Sequence, residues 1–470
     1  MLVIISDLHL TDGSSGEIIS EAAFRLFRGR LSDMAYDASW RCKGSHCTTC
    51  REDAGCEKVY QPIESFDIIL LGDILDMIRS EQWNQAPDSV LPWSSPWQDE
   101  FFTTVNTIVD GILQYNAGSF RILEGIAHNG DIKIPAAMKQ ASDTKKATEK
   151  IVHEAVGEVN VKVNIHYMIG NHDWFFYIDD PRMDTIRNKV IRALGLANPL
   201  NTPFPYHRSD SVAIETIQNN HSVFAEHGDE FDKTNYQTPH RDASSVGDVV
   251  VIKLLNMIPA GIEQYLVEQA GLDRNSDKVK NFVRNLREID NLRPYTLAAS
   301  WIMQVAQTAD LDNDLLDKAT RHALNIALKN FVKSPLVAAS RKLKMQMTIA
   351  RWVVNAIGIG PLSWLVDHTQ FGQDKMESYR AYALQLSARH NYSFFVMGHT
   401  HYAELVPLGS YNNNKNGKIY LNTGTWRTVH LRSIADNSFI SHKTITMAGF
   451  FKNDERRGRP FEFWTGALAL

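Results

Sequence analysis

The 470-residue chain predicts an α/β fold, and three observations carry that expectation. Short β-branched and aliphatic runs recur at residues 2–6, 67–71, 164–169, 222–225, 394–397 and 419–421, each of a length suited to a buried strand. The first five end directly in Asp, His, Gly or Asn: DLH, GD, GNHD, HGDEFD and GHTH. A long block of helical periodicity then separates HGDEFD from GHTH. Loops at strand ends are where a rigid sheet holds polar chemistry. Several such loops on one edge would gather His and carboxylate groups into one cleft.

The helical block spans about 248–389, within an insertion placed at 241–390. Val279, Phe282, Val283, Leu286 and Ile289 recur there at helical spacing, Ser276 and Asp277 supply a start signal, and Pro294 follows the end. Lying between two pieces of the sheet, it reads as a cap on a core made of 1–240 and 391–470. A second insertion, 11–62, opens with an amphipathic segment (Ile18, Ile19, Ala22, Ala23, Leu26) and then carries all four cysteines. The length exceeds that of one ordinary core, which fits a large domain with such insertions.

Composition narrows the function only a little. With 44% hydrophobic and 22% charged residues the chain is expected to fold rather than remain disordered. A net charge of -5 gives no global attraction to nucleic acid or anionic lipid, so a polyanion would have to be met by a local basic patch or by bound metal. MLVIISDLHL reads as a buried strand rather than a signal peptide, and a cytoplasmic protein is expected. The longest nearly uncharged stretch, 352–366, is shorter than a spanning helix and contains Asn355, Gly358, Gly360 and Pro361.

The strand-end residues form a plausible ligand set. Asp7 and His9 are one residue apart, so an extended chain would present both to one ion. Asp73 has two carboxylate oxygens and is able to bridge two cations, a pair of which would clamp the attacking and departing oxygens of a phosphoryl displacement. Asn171 offers an amide oxygen; His227, His399 and His401 offer imidazole nitrogens. This mixed set suits Mn, Fe, Zn or Ni. Singly each His is better read as structural or solvated, the reading kept for His153, His166, His221 and His240. The joint order of the blocks is what points to a site.

Those blocks, DxH, GD, GNHD, a later His and GHTH, resemble the calcineurin-like metallophosphoesterases. The resemblance implies a four-layer αββα sandwich and a dinuclear centre. One metal would take Asp7, His9, Asp73 and His401, and the other Asp73, Asn171, His227 and His399. It further implies catalytic roles for His172, at the scissile phosphate, and for Asp173, orienting that histidine. A metal-activated hydroxide would hydrolyse a phosphoester or pyrophosphate. HGDEFD, GHTH and YLNTGTW (420–426) are nearest to the UDP-2,3-diacylglucosamine pyrophosphatase-like branch, although GNHD stands here where those lipid enzymes carry GNRD. Alternative readings are a nuclease or cyclic-nucleotide phosphodiesterase, and a non-catalytic scaffold on the same fold. The expected partner is a phosphorylated small molecule or a lipid-linked substrate.

Cys42, Cys47, Cys50 and Cys56 fall in the pattern C-x4-C-x2-C-x5-C. A structural zinc site, two disulfides or a redox pair, and an iron–sulfur cluster or free thiols all remain open, with zinc preferred. In the cap, Arg341, Lys342, Lys344 and Arg351 precede the apolar stretch with Trp352 and Trp364. That arrangement is either the packing of the cap itself or a peripheral membrane face.

Overall fold

The computed structural model describes residues 1–16, 19–42, 58–140, 153–237, 241–292, 297–309, 311–348, 376–409, 417–433, 435 and 438–467. Its strands are β1 (Leu2–Ile5), β2 (Trp40–Cys42), β3 (Lys58–Tyr60), β4 (Ser65–Leu71), β5 (Lys133–Gln140), β6 (His153–Asn160), β7 (Lys162–Met168), β8 (Val223–Ala225), β9 (Phe394–Met397), β10 (Ala403–Gly409), β11 (Lys418–Thr423), β12 (Thr428–Arg432), β13 (Phe439–Phe450) and β14 (Phe461–Ala467). The protein is mixed α/β, as its sequence predicts.

Two mixed sheets position the site. In the six-stranded sheet, ordered β12-β13-β1-β4-β7 with β14 also on β13, the strands β1, β4 and β7 run parallel while β13 is antiparallel to β1. In the four-stranded sheet, ordered β10-β11-β9-β8, the strands β8, β9 and β11 run parallel. Five of these six parallel strands, all but β11, are those whose runs end in the polar motifs. Side chains alternate across each strand, so Leu2 and Ile4 join Ile69, Leu71, Val223, Val396 and Leu421 in a core shared by both sheets. Val3 and Ile5 face the other way, into a core with Phe66, Ile68, Val163 and helices Glu21–Ala38, Asp99–Tyr115 and Pro181–Leu194.

The described residues between 246 and 338 are largely helical and bury a cluster of their own around Ile262, Phe282, Leu286, Trp301, Leu328 and Phe331. Helix Asp277–Arg287 starts where the sequence signals it: the Ser276 side chain accepts from the Val279 amide, one of the donors a helix start leaves unpaired. The amphipathic segment of the first insertion is out of phase with expectation. The helix begins at Glu21 and buries Ala23, Phe24, Phe27, Leu31 and Met34, whereas Ala22 and Leu26 face solvent. The large rings of Phe24 and Phe27, packed on Trp426, decide the buried face.

Cys47, Cys50 and Cys56 lie outside the described residues, as do Arg351, Trp352 and Trp364; of Cys42 only its place at the end of β2 is described. No described helix is long and apolar enough to cross a membrane.

Candidate metal centre

The loops that leave β1 and β4 continue side by side beyond the sheet. The Asp7 amide donates to the Gly72 carbonyl at 3.1 Å, His9 to Asp73 at 2.9 Å and Leu10 to Ile74 at 2.9 Å. This ladder brings the DLH and GD motifs together without help from their side chains. Gly72 is required here on two counts: its φ is +80°, and a Cβ on it would sit 2.5 Å from the His227 ring.

All seven expected ligand residues converge. Asp7, His9 and His401 form one group, and Asp73, His227 and His399 another, with their donor atoms in each case within 4.8 Å of one another. His9 Nε2 lies 2.9 Å from His401 Nε2, and Asp7 Oδ1 lies 3.6 Å from His401 Nε2. Asp73 Oδ2 stands between the groups, 3.7 Å from His9 Nε2 and 3.2 Å from His227 Nε2. Asn171 Oδ1 is 2.8 Å from His399 Nδ1. Ligand bonds of about 2.1 Å would set donors on a common ion roughly 3.0–3.5 Å apart. The observed separations cluster near that range.

Three further observations test whether these residues fit a cation. First, His227 gives Nδ1 to the Leu71 carbonyl at 2.8 Å and is fully buried, leaving Nε2 with no hydrogen-bond partner among the described residues and only the Asp73 carboxylate, at 3.2 Å, before it. An orphaned buried nitrogen is costly unless something occupies its lone pair. Second, Asp7 (φ 52°), His9 (φ 46°), Asp73 (φ 54°), His399 (φ 68°) and His401 (φ 65°) all hold left-handed backbone, a region that side chains other than Gly disfavour and that concentrates at functional sites. Third, the buried carboxylates require positive charge. Burial disfavours the charged form of His9, yet Asp7, Asp76 and Asp73 outweigh it and raise its pKa to about 10. Asp73, despite burial, is held well below the usual carboxylate range by His227, His172 and His9. The donor set fits divalent cations.

The structure adds residues that the sequence reading did not name. Asp76 holds two imidazoles at once: Oδ2 is 3.0 Å from His9 Nδ1 and Oδ1 is 2.7 Å from His172 Nδ1. Although burial opposes its ionised form, His172 and His9 keep Asp76 well below the ordinary range. Asp232 Oδ2 is 3.2 Å from His399 Nε2, on the opposite side of that ring from Asn171. Both are carboxylates a few residues past an expected ligand, in GDILD and HGDEFD. Their spacing from Asp73 and His227 is the signal that was available.

Orientation of His172 therefore belongs to Asp76, and the geometry departs from the expected Asp173–His172 pairing. The Asp173 carboxylate is turned into the protein. It accepts from the Gly170 amide at 2.5 Å, the Ile74 amide at 2.9 Å and the Tyr167 hydroxyl at 2.6 Å, tying GNHD to the GD loop. Burial and the nearby Asp73 push its pKa up to about 6 against those three donors. His172 itself is partly exposed and donates its backbone amide to Asp73 Oδ1 at 2.8 Å. His399 and His401 are also partly exposed, whereas Asp7, His9, Asp73, Asn171 and His227 are buried. The least buried side of the centre is that of His172, whose side chain is 12% exposed, against 9% for His401 and 5% for His399.

YLNTGTW buttresses both the DLH and the GHTH loops. Asn422 Nδ2 donates to the Gly398 carbonyl at 2.7 Å, Thr423 Oγ1 lies 2.6 Å from Ser6 Oγ, and Thr425 Oγ1 donates to the Asp7 carbonyl at 2.6 Å. Arg241, fully enclosed, donates to the Gly170 carbonyl at 2.6 Å and pairs with Asp229 at 3.1 Å.

No protein-family model, curated protein or solved structure matches this chain. What stands is a mixed α/β protein with buried His/Asp clusters able to hold metal ions.

Proposed function

We propose that the protein is a dinuclear metallophosphoesterase on a four-layer αββα sandwich, hydrolysing a phosphoester or pyrophosphate. The observation that carries this reading is the position of Asp73 between two donor groups, its Oδ2 within 3.7 Å of His9 Nε2 and 3.2 Å of His227 Nε2. A carboxylate shared in this way favours two neighbouring cations over two unrelated sites. The core shared by both sheets, with helices packed on the outer face of the larger one, supports the sandwich.

Asp7, His9, Asp73 and His401 would hold one ion, and Asp73, Asn171, His227 and His399 the other. Two divalent cations supply Lewis-acid activation of water and charge neutralisation at a phosphate. The chain's own residues do the rest. Asp76 fixes the His172 ring and favours its protonated form, as the raised pKa of His172 reflects: burial opposes the charge, but Asp76 and Asp73 outweigh it. His172, partly exposed at the mouth, is placed to bind a phosphate oxygen or to protonate a leaving group. Asp232 and Asp76 orient metal-facing imidazoles from behind.

The test is metal analysis of the purified protein together with a hydrolysis panel in Mn: nitrophenyl mono- and diesters, cyclic nucleotides, nucleotide-sugar pyrophosphates and single-stranded DNA. About two ions per chain, with hydrolysis abolished by chelation and restored by Mn, is expected. Undiminished hydrolysis by metal-free protein would overturn the mechanism.

A further inference from the structure

The seam between the helical block and the larger sheet forms a half-open pocket of about 240 Å³, and none of its lining residues belongs to the metal centre. Helices Asp277–Arg287 and Ala298–Thr308, with Glu288 just past the first, provide one wall; β12 and β13 provide the other. At its centre stands His430, 5% exposed. Its ring lies 4.4 Å from that of Trp301 with the planes tilted by 32°, its Nδ1 is 3.1 Å from Ser441 Oγ, and its Nε2 has no hydrogen-bond partner among the described residues. The nearest charged oxygen to that nitrogen is Glu288 Oε2 at 3.8 Å, too far for a direct bond.

This pair defines what the cavity lacks. An atom about 2.8 Å from both groups, the usual hydrogen-bond length for oxygen, would satisfy the imidazole and add a second bond to a carboxylate oxygen that already accepts from Asn291 Nδ2. A hydroxyl both donates and accepts at one atom, so it is able to give its proton to Glu288 and receive one from His430; a carbonyl only accepts and an ammonium only donates. Further groups of both kinds surround the space. Gln304 uses Oε1 to accept from the Phe439 amide at 3.2 Å, which leaves its Nε2 as a donor. Thr308 gives its hydroxyl proton to the Val305 carbonyl at 3.0 Å, which leaves oxygen lone pairs as acceptors. Trp301, Val305 and Phe439 supply an apolar face beside these groups.

Charge excludes the obvious alternatives. Among the described residues no Lys or Arg lines the cavity, and Glu288 is held below its ordinary pKa because His430 and Arg427 outweigh its burial. An anionic phosphate or carboxylate would meet a like charge there. An amine would use Glu288 but leave the amide and hydroxyl groups unmatched. A volume of about 240 Å³ leaves room for one ring with its substituents.

We propose that this seam pocket binds one neutral polyhydroxylated ring, a sugar, with a ring hydroxyl bridging His430 and Glu288 and the C–H face against Trp301 and Phe439. The site does not depend on the metal reading. Because its two walls come from the helical block and from β12–β13, an occupied pocket would also fasten those parts together.

The experiment uses the full chain after chelation, so that no turnover contributes. Saturation-transfer NMR and calorimetric titration are run with methyl glycosides of glucose, galactose, mannose and N-acetylglucosamine, and with inorganic phosphate and ethylammonium as comparators. At least one glycoside is expected to bind, with a Kd on the order of millimolar for so small a ligand. Glu288→Gln and Gln304→Ala are each expected to weaken it roughly tenfold. Thr308→Val, at an exposed position, provides a third variant should Glu288→Gln fail to fold. Absence of binding by every glycoside, binding undiminished in the folded variants, or preferential binding of ethylammonium or phosphate would each overturn the proposal.

Discussion

The Asp76 carboxylate lies 2.7 Å from His172 Nδ1 through one oxygen and 3.0 Å from His9 Nδ1 through the other. One side chain therefore sets the orientation of an expected metal ligand and of the expected acid. Asp76→Asn retains the shape but offers one acceptor and one donor in place of two acceptors. Turnover on the best substrate of the panel is expected to fall roughly 10- to 100-fold, the usual cost of removing such a supporting carboxylate. Steady-state kinetics with metal content measured in parallel would show it; unchanged turnover at full metal loading would sink the assignment.

Asp173 separates from Asp76 by a different readout. Its three donors, two of them backbone amides, hold the GNHD and GD loops together. Asp173→Asn leaves one oxygen for donors that now use two, and the buried groups it strands cost about 1–3 kcal/mol. Chemical denaturation of metal-free protein is expected to register that loss. A variant as stable as the parent would show that Asp173 matters for chemistry alone.

Gly72→Ala tests the close approach of the two sheets' loops. The added methyl would meet the buried His227 ring at 2.5 Å on a backbone already at φ +80°. Loss of the second ion ahead of the first is expected, because His227 belongs to the group containing His399. Metal titration followed by calorimetry would resolve the two steps. Equal loss of both ions would point to general unfolding instead.

His221 supplies a pH dependence remote from the metal centre. It is 7% exposed, and burial lowers its pKa to about 4 from the ordinary 6.5. The unfolded chain therefore takes up a proton on this ring more readily than the folded one. The associated stability is complete above about pH 6.5, declines as pH falls, and is gone below about pH 4, for a total of about 3 kcal/mol. His221→Gln should flatten that part of the stability-against-pH curve. Parallel curves for parent and variant between pH 6.5 and 4 would refute the attribution.

The ligand loops were legible because each motif directly follows a short apolar run, and parallel strands deliver their ends to one edge. Nothing beyond residue type and order was needed for Asp7, His9, Asp73, Asn171, His227, His399 and His401 to be brought together. Asp76 and Asp232 were overlooked since a carboxylate three or five residues past a ligand looks like any polar turn residue until the fold shows which ring it meets. β13 was missed for another reason. Its Ser441, Lys443, Thr444 and Thr446 dilute the apolar run, although its residues 445–450 are buried between β1 and β14. The seam pocket was least legible of all. Glu288 and His430 are far apart in sequence, and only the docking of the helical block on β12 makes them neighbours.

The left-handed backbone of Asp7, His9, Asp73, His399 and His401 implies an opposition between durability and chemistry in this chain. Each such residue carries on the order of 1–3 kcal/mol of conformational cost that glycine would not. Substitution to glycine at any of the five would relax the main chain while deleting a donor atom. Selection for robustness alone would therefore erode the site, and a descendant retaining all five side chains is one in which their use still outweighs their strain.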